Sequence, residues 1–301
     1  MEQRLFARII GHPEVCEFLR LVSQNGHLAH AYLLVGPEGV GKTAILEELL
    51  ASWSSSAKNP DLLRVARLTD EKTGQRKSQI SVAQIRTVCE RLALSAMGEG
   101  RKAVFIEEAD RLHPAAANAL LKTLEEPRGK TTLFLRATQL EAVPETLISR
   151  CQILRLGSVP AEILKAALVE RGLDPVTAEE FSQAAAGRPG VALRLMQDSS
   201  YQSEREVAKT ALNYFVDESL AARLGRAAAL LPKSESNRPE ILEKYFDLWE
   251  GSLRERLLLA LQQGAALKRW QEGIRALRQA RLALRHNGNP QLVLEHFLIN
   301  L

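Results

Sequence analysis

The sequence predicts an α/β domain built on a parallel sheet, followed by a region made only of helices. Short apolar runs alternate with helical patterns as far as about residue 158, and only helical patterns follow. Strands that alternate with helices indicate a parallel sheet with helices on both faces. A chain rich in leucine and alanine, with only 5% aromatic residues, also favours a helix-rich protein.

Four strands are predicted in the first half of the chain. They are the runs AYLLVG (31–36), KAVFIEE (102–108), TTLFLRAT (131–138) and CQILRL (151–156). The segments KTAILEELLASW, ISVAQIRTVCERLAL and HPAAANALLKTLEEP have helical spacing between them. Ser81 is the predicted N-cap of the second helix, and Pro114 and Pro127 bound the third. The short apolar run LLRVARL (62–68) lies between two predicted loops.

The second half divides into a small and a larger helical part. Residues 160–197 read as three short helices, broken at Gly172, near Pro175 and at GRPG (187–190). Helical spacing then continues to the end, interrupted at LPKSESNRPE and HNGNP. We therefore predict three domains, at residues 1–157, 158–201 and 202–301.

Composition restricts the class of protein. The 301 residues exceed one typical domain, and 46% apolar with 25% charged residues is ordinary globular usage. A net charge of +4 is compatible with nucleic acid contact and equally with a solvated basic surface. Three scattered cysteines without a C-x-x-C pair predict neither zinc nor disulfides. With no signal peptide or membrane-spanning run in the sequence, we expect a cytoplasmic protein without membrane contact.

The segment GPEGVGKT (36–43) fits the pattern G-x-x-x-x-G-K-[ST] of a P-loop. Gly36, Gly39 and Gly41 allow backbone N–H groups to curl around phosphate oxygens at the start of a helix. Lys42 would reach the outer phosphates, and the Thr43 hydroxyl would help to hold Mg²⁺. The strand before the motif and the helix after it strengthen the prediction of an ATP site with magnesium.

The acids after the second predicted strand are the natural partners of this loop. An acid at Glu107 would hold Mg²⁺ through water, and Glu108 would polarise an attacking water. Aspartate is expected at the first position, and the extra methylene of Glu107 moves its carboxylate by about 1–1.5 Å against a strict octahedral requirement. Binding would survive this change better than hydrolysis would.

Two further residues are candidates only in this context. Thr138 ends a strand where its hydroxyl could touch a γ-phosphate or a water. Arg150 follows a short apolar helix in PETLISRC and could reach a neighbouring subunit as a finger that neutralises transition-state charge. Taken alone, Thr138 would be an ordinary strand-end residue and Arg150 a solvated surface charge.

Together, GHPEV, HAYLLVGPEGVGKT, EEADRLHPAAANALLKTLEEP and LISRCQILRL, in this order, resemble the bacterial clamp-loader ATPase family over about residues 5–197. The resemblance implies an AAA+ core, a helical lid and an all-α collar that joins subunits into a ring. It implies that ATP is used to place a sliding clamp on primer-template DNA. Within it, Arg150 matches the arginine that acts in trans, and Thr138 matches the first nucleotide sensor.

Three departures from the family pattern define the expected role. Glu107 replaces aspartate, Gly190 stands where motor subunits carry a lid arginine, and the four-cysteine zinc module is missing from the sequence after the P-loop helix. The elements acting in cis are therefore altered, while the trans-acting Arg150 is kept. We expect a subunit that completes a neighbour's site, has weak or no ATPase activity of its own, and works with motor (gamma/tau-like) and delta subunits.

Three alternatives remain open at this point. A gamma/tau-like motor subunit would carry Asp-Glu after the strand, a lid arginine and usually the zinc cysteines. A stand-alone P-loop enzyme, such as a nucleotide kinase or helicase, would need arginines in a mobile lid or helicase motifs. A nucleotide-free scaffold of the same complex would show no affinity for ATP.

Overall fold

The chain divides into two compact units in a computed structural model. The structure describes residues 5–53, 62–71, 76–93, 102–126, 129–231, 238–264, 267–285 and 288–301. The first unit is drawn from Met1–Asp70, Arg76–Leu164 and Gly187–Gly190. The second is drawn from Glu71–Gln75, Lys165–Ala186 and Val191–Leu301. The three predicted domains remain a prediction, because this division does not test their boundaries.

The first unit contains a parallel sheet of five strands in the order β2-β3-β4-β1-β5. The strands are β1 Ala31–Val35, β2 Leu62–Val65, β3 Lys102–Ile106, β4 Thr131–Ala137 and β5 Gln152–Arg155. Four of them lie within the predicted runs. The edge strand β2 comes from the run LLRVARL, for which the sequence pattern predicts no strand. Its outer residues are only partly buried, so the apolar pattern of a central strand is missing.

Both faces of the sheet are buried, which explains the continuous apolar runs. Along β1, Leu33 and Val35 face one apolar core, while Tyr32 and Leu34 face the other. The first core is completed mainly by the helices that follow β2 and β3, and the second by the helices at either end of β1. The helices between residues 13 and 170 are α1 Pro13–Gln24, α2 Lys42–Ser52, α3 Val82–Ala93, α4 Pro114–Glu125, α5 Glu145–Ile148 and α6 Ala161–Glu170. Only the first four residues of α6 belong to the first unit.

The predicted helix boundaries follow from their caps. Ser81 and Gln84 bond reciprocally at the start of α3, where the Ser81 hydroxyl accepts from the Gln84 N–H and the Gln84 side chain accepts from the Ser81 N–H. Pro114 occupies the first turn of α4, in which its missing N–H costs no intrahelical bond. Both predicted starts are confirmed.

The rest of the described chain is helical. Its helices are α7 Pro175–Ala185, α8 Pro189–Gln197, α9 Ser199–Asp217, α10 Leu220–Leu230, α11 Arg238–Gln263, α12 Lys268–Arg285 and α13 Pro290–Ile299. The three short helices predicted in 160–197 are present as α6, α7 and α8. In the second unit, Trp249 is fully buried, stacks on Phe297 and donates its indole N–H to the Ala208 carbonyl at 2.8 Å.

Among the helices of the described ranges, none combines the length and apolar character that crossing a bilayer requires.

Candidate functional site

Three predicted site segments meet at one edge of the sheet. Val35 at the end of β1 pairs with Ala137 at the end of β4, and Ile106 at the end of β3 pairs with Leu135. The loops that follow these strands therefore emerge side by side at the carboxyl ends, the usual ligand-binding edge of a parallel sheet. The P-loop, the two glutamates and Thr138 all leave the sheet here.

The P-loop geometry depends on glycine at three positions. A Cβ added to Gly36 would lie 2.1 Å from the Leu156 carbonyl oxygen, so no side chain fits there. Gly41 caps α2 with φ +114°, and Gly39 also has positive φ, +81°. No side chain bonds the cap at Gly41, so the N-terminal N–H groups of α2 face a site suited to an anion.

Lys42 is buried and folded onto the loop itself. Its side chain is 2% exposed, and its Nζ donates to the carbonyl oxygens of Gly36 at 2.5 Å and Pro37 at 2.7 Å. Burial lowers the pKa of Lys42 to about 8. The charge of Glu38 opposes the decrease, and that of Arg136 adds to it. Lys42 thus lies where the motif places it, at the base of the loop.

Arg136, which the sequence analysis did not single out, lies at the centre of the cluster. It is the one residue of β4 that is not buried. Its Nη1 donates to the Thr43 hydroxyl at 2.7 Å, and its Nε donates to the Glu107 main-chain oxygen at 2.7 Å. The same Nη1 lies 3.4 Å from a carboxylate oxygen of Glu38. A charged residue inside the apolar run TTLFLRAT was the signal that could have identified it.

The other predicted polar groups are bound to neighbouring side chains. Arg67 donates to the Glu108 carboxylate at 2.9 Å, and the two side chains are only 13% and 19% exposed. The Thr138 hydroxyl donates to Asp110 at 2.7 Å. Sequence reasoning missed Arg67, which comes from the chain just after the unassigned edge strand β2. Glu108 and Thr138 thus have partners within the chain, at the edge where the motifs place them.

Arg150 lies apart from this cluster, just after α5. Its Nε and Nη2 donate to one carboxylate oxygen of Glu125 at 2.9 and 2.5 Å. Its Nη1 donates to the Thr146 carbonyl and the Ser149 hydroxyl. The Arg150 side chain is 34% exposed and that of Glu125 51%. The guanidinium is held at the surface by an exposed carboxylate.

Gly190 lies directly against the P-loop within the first unit. Its N–H donates to the Gly39 carbonyl at 2.7 Å, and a Cβ added there would lie 3.0 Å from that oxygen. The position at which the resemblance expects a lid arginine therefore presents backbone to the loop.

The residues present fit a phosphate chain better than they fit a metal ion. The glycine turn, the free helix N-terminus and Lys42 provide inward N–H groups and a positive charge. The Thr43 hydroxyl, predicted to hold Mg²⁺, instead accepts from the Arg136 guanidinium. Glu107, the other predicted magnesium ligand, bonds the same guanidinium through its main chain. Within the described ranges, no cluster of three or more His, Cys, Asp or Glu could hold a metal.

The sequence is similar to known subunits of DNA polymerase III. The family model described as DNA polymerase III, delta subunit, matches residues 11–160. The DNA polymerase III subunit delta' of Haemophilus influenzae is 39% identical over 129 residues, covering 42% of this chain and 39% of the relative. That of Escherichia coli K12 is 33% identical over 218 residues, covering 66% of this chain and 64% of the relative. The chain thus spans less than two thirds of either relative.

A solved structure shows the shared fold. The gamma subunit-related protein of DNA polymerase III from Thermotoga maritima superposes with a TM-score of 0.52 at 18% identity, covering 93% of this chain and 97% of that one. The predicted fold class, an α/β core with a parallel sheet followed by helices, is confirmed. Through residues 11–160, the chain belongs to the delta-prime family of DNA polymerase III clamp-loader subunits.

Proposed function

We propose that this chain is the delta-prime subunit of a bacterial DNA polymerase III clamp loader and lends Arg150 to the ATP site of a neighbouring subunit. The partners are gamma/tau-type motor subunits and a delta subunit in a hetero-oligomeric ring. The complex acts in the cytoplasm on a sliding clamp and primer-template DNA. This proposal rests on the family match and on the different surroundings of Arg150 and the P-loop.

The observation that carries the proposal is the state of Arg150. Its guanidinium lies at the surface, and its ionic partner is the exposed carboxylate of Glu125. An exposed ion pair of this kind contributes about 0–1 kcal/mol, so a phosphate on an adjoining subunit can replace Glu125 at little cost. In the transition state of phosphoryl transfer, an arginine supplied in this way neutralises charge on the equatorial oxygens.

For the chain's own P-loop we propose nucleotide binding with weak or absent hydrolysis. Gly36, Gly39, Gly41 and Lys42 would bind the phosphate chain. Glu108 would have to release Arg67 before it could orient a water, since that ion pair is largely shielded from solvent. The three glycines and Lys42 would hold the phosphoanhydride chain that ATP supplies when it is bound. The nucleotide then has a structural effect on this subunit.

The test is Arg150→Ala in the reconstituted complex of motor, delta and delta-prime subunits. We expect ATP binding by this chain to stay unchanged, and one active site of the complex to lose about 10³-fold in hydrolysis rate. The measurement is single-site ATP turnover, with a motor variant that silences the other sites.

Arg155→Ala is the matched control, because Arg155 is an exposed arginine on β5, an edge strand of the same sheet. It removes the same charge and should leave turnover unaltered. Equal turnover by the wild type and the Arg150 variant would remove the trans role and leave the family membership untouched.

A further inference from the structure

Arg136 contacts Thr43, the P-loop residue whose hydroxyl the motif assigns to Mg²⁺. Its position follows from strand register, since Leu135 pairs with Ile106 and the next residues, Arg136 and Glu107, lie side by side at the strand ends. On β1, Arg136 pairs with Leu34, one residue before the strand's end. Its side chain projects on the face of α2 and reaches the first turn of that helix at Thr43.

The bond to Thr43 places a cation on the oxygen that would bind the metal. A hydroxyl oxygen offers two lone pairs, and here one accepts the Arg136 N–H at 2.7 Å. A magnesium ion would need to approach that same oxygen to about 2.1 Å with near-octahedral geometry. The fixed positive charge would then repel it at close range.

The guanidinium is anchored independently of any carboxylate. Its Nε donates to the main-chain oxygen of Glu107 at 2.7 Å, and that carbonyl is fixed at the end of β3. The Glu38 carboxylate, 3.4 Å away and about half exposed, adds a weaker interaction. An anchor on backbone keeps the charge in place whether or not Glu107 turns towards the site.

The charge balance of the cluster defines the ligand. Lys42 and Arg136 bring two cations to a turn whose N–H groups already favour an anion. The nearest carboxylate, on Glu38, is about half exposed, and the charge of Asp110 also acts on Lys42. A guanidinium binds phosphate oxygens through paired N–H donors, and this is the charge compensation that a metal otherwise provides. The ligand class that fits is a nucleoside di- or triphosphate without a bound metal.

We propose that Arg136 replaces magnesium in this P-loop, so that the chain binds the phosphate chain of a nucleotide in its metal-free form. This proposal rests on the nucleotide site proposed above. It adds that the site binds the nucleotide without magnesium. The role of Arg150 in a neighbour's site is independent of it.

The experiment is a titration of the full chain with a fluorescent ATP analogue, at equal ionic strength, with either magnesium or EDTA present. We expect the wild-type Kd to differ by less than about twofold between the two buffers. Arg136→Leu should bind about tenfold more weakly in EDTA, because it loses a charge-assisted contact, and magnesium should restore most of the affinity. Arg155→Leu, which removes an exposed arginine from β5, should behave as the wild type does.

Several outcomes would overturn the proposal. One is a wild-type Kd that rises tenfold or more when EDTA replaces magnesium, with the same rise in Arg136→Leu. Another is a wild type that binds no nucleotide while Arg136→Leu binds it in the presence of magnesium. Arg136 would then block the nucleotide site and would not replace the metal. If the Leu variant fails to fold, Arg136→Lys decides, since a retained charge should preserve metal-free binding. Absence of binding in every variant would also remove the nucleotide site, without touching the turnover assay for Arg150.

Discussion

The cluster around the P-loop and the surface around Arg150 differ in the partners that bind their charged side chains. In the P-loop cluster, Lys42, Arg136 and Glu108 are bound by backbone carbonyls or by largely buried partners. At the Arg150 surface, one exposed carboxylate and two neighbouring oxygens hold the guanidinium. A group held by exposed partners exchanges them readily, and a group held by buried partners does not. The comparison separates groups with buried or main-chain partners from a guanidinium whose ionic partner is exposed to solvent.

The energetic reason lies in desolvation. Removing one partner of a shielded ion pair such as Arg67–Glu108 leaves a charge that water reaches poorly, and this costs several kcal/mol in fully buried cases. The exposed Arg150–Glu125 pair contributes about 0–1 kcal/mol. Reorganising the P-loop cluster for hydrolysis is therefore costly, while moving Arg150 to a neighbour is not.

The largest expected effect is the roughly thousandfold loss of ATP turnover in Arg150→Ala, which tests the Arg150 side of the comparison. The next largest is the loss of stability in Gly36→Ala, which tests the P-loop side. The new Cβ would lie 2.1 Å from the Leu156 carbonyl oxygen, so the P-loop or the end of β5 must shift. We expect the free energy of unfolding to fall by about 3 kcal/mol, measured by urea denaturation. Gly157→Ala is the matched control, since nothing lies within 4 Å of its added Cβ, and it should change stability by less than about 0.5 kcal/mol. Equal stability of the two variants would show that the P-loop is adaptable.

Cys151 tests whether the segment beside Arg150 is packed or open. It follows Arg150 in the sequence, and its side chain packs against the core. Burial raises the pKa of the Cys151 thiol from 9.0 to about 11. At pH 8 the thiolate fraction then falls about a hundredfold relative to the unfolded chain, so iodoacetamide should alkylate Cys151 about a hundredfold more slowly in the native protein. Peptide mass spectrometry after timed labelling in buffer and in urea measures this.

The sign of the pH dependence follows from the same shift. The folded state prefers the protonated thiol, so its stabilising effect is complete below pH 9 and is lost as the pH rises towards about 11. Native alkylation as fast as that of the unfolded chain at pH 8 would mean that the segment carrying Arg150 is open as a whole.

Glu125→Gln gives the smallest expected effect. The variant keeps the shape of the side chain and removes the charge that holds Arg150 in the isolated chain. We expect unfolding free energy to change by less than about 1 kcal/mol and turnover of the assembled complex by less than about threefold. The single-site ATPase assay measures this, with Glu162→Gln, an acid in the first turn of α6, as the control. A hundredfold loss would instead assign Glu125 a positioning role in the neighbour's site.

The sequence predicted most of the fold because its signals are local. Apolar runs gave four strands, and Ser81 and Pro114 marked helix starts through their own chemistry. The strand β2 was missed because an edge strand with exposed Arg64 lacks a continuous apolar pattern. The P-loop was likewise found because its glycines, lysine and threonine are adjacent in the sequence.

The rest of the site depends on pairs that are distant along the chain. Arg136 meets Thr43 across 93 residues and Arg67 meets Glu108 across 41, and only the strand order brings them together. No pattern of residue spacing in the sequence predicts contacts between side chains so far apart along the chain. The charge of Arg136 inside a buried strand was a visible anomaly, but its partner was not.

The main-chain bond from Gly190 to Gly39 bears on whether an arginine at position 190 could act on a nucleotide in this P-loop. An arginine at position 190 would bring its Cβ to 3.0 Å from the Gly39 oxygen, a tight contact that the loop or the helix start must relieve by a few tenths of an ångström. Glu107→Asp alone would leave that obstacle in place and Arg136 still bonded to Thr43. A chain with the cis-acting elements of a motor subunit would therefore need changes at Gly190, Glu107 and Arg136 together.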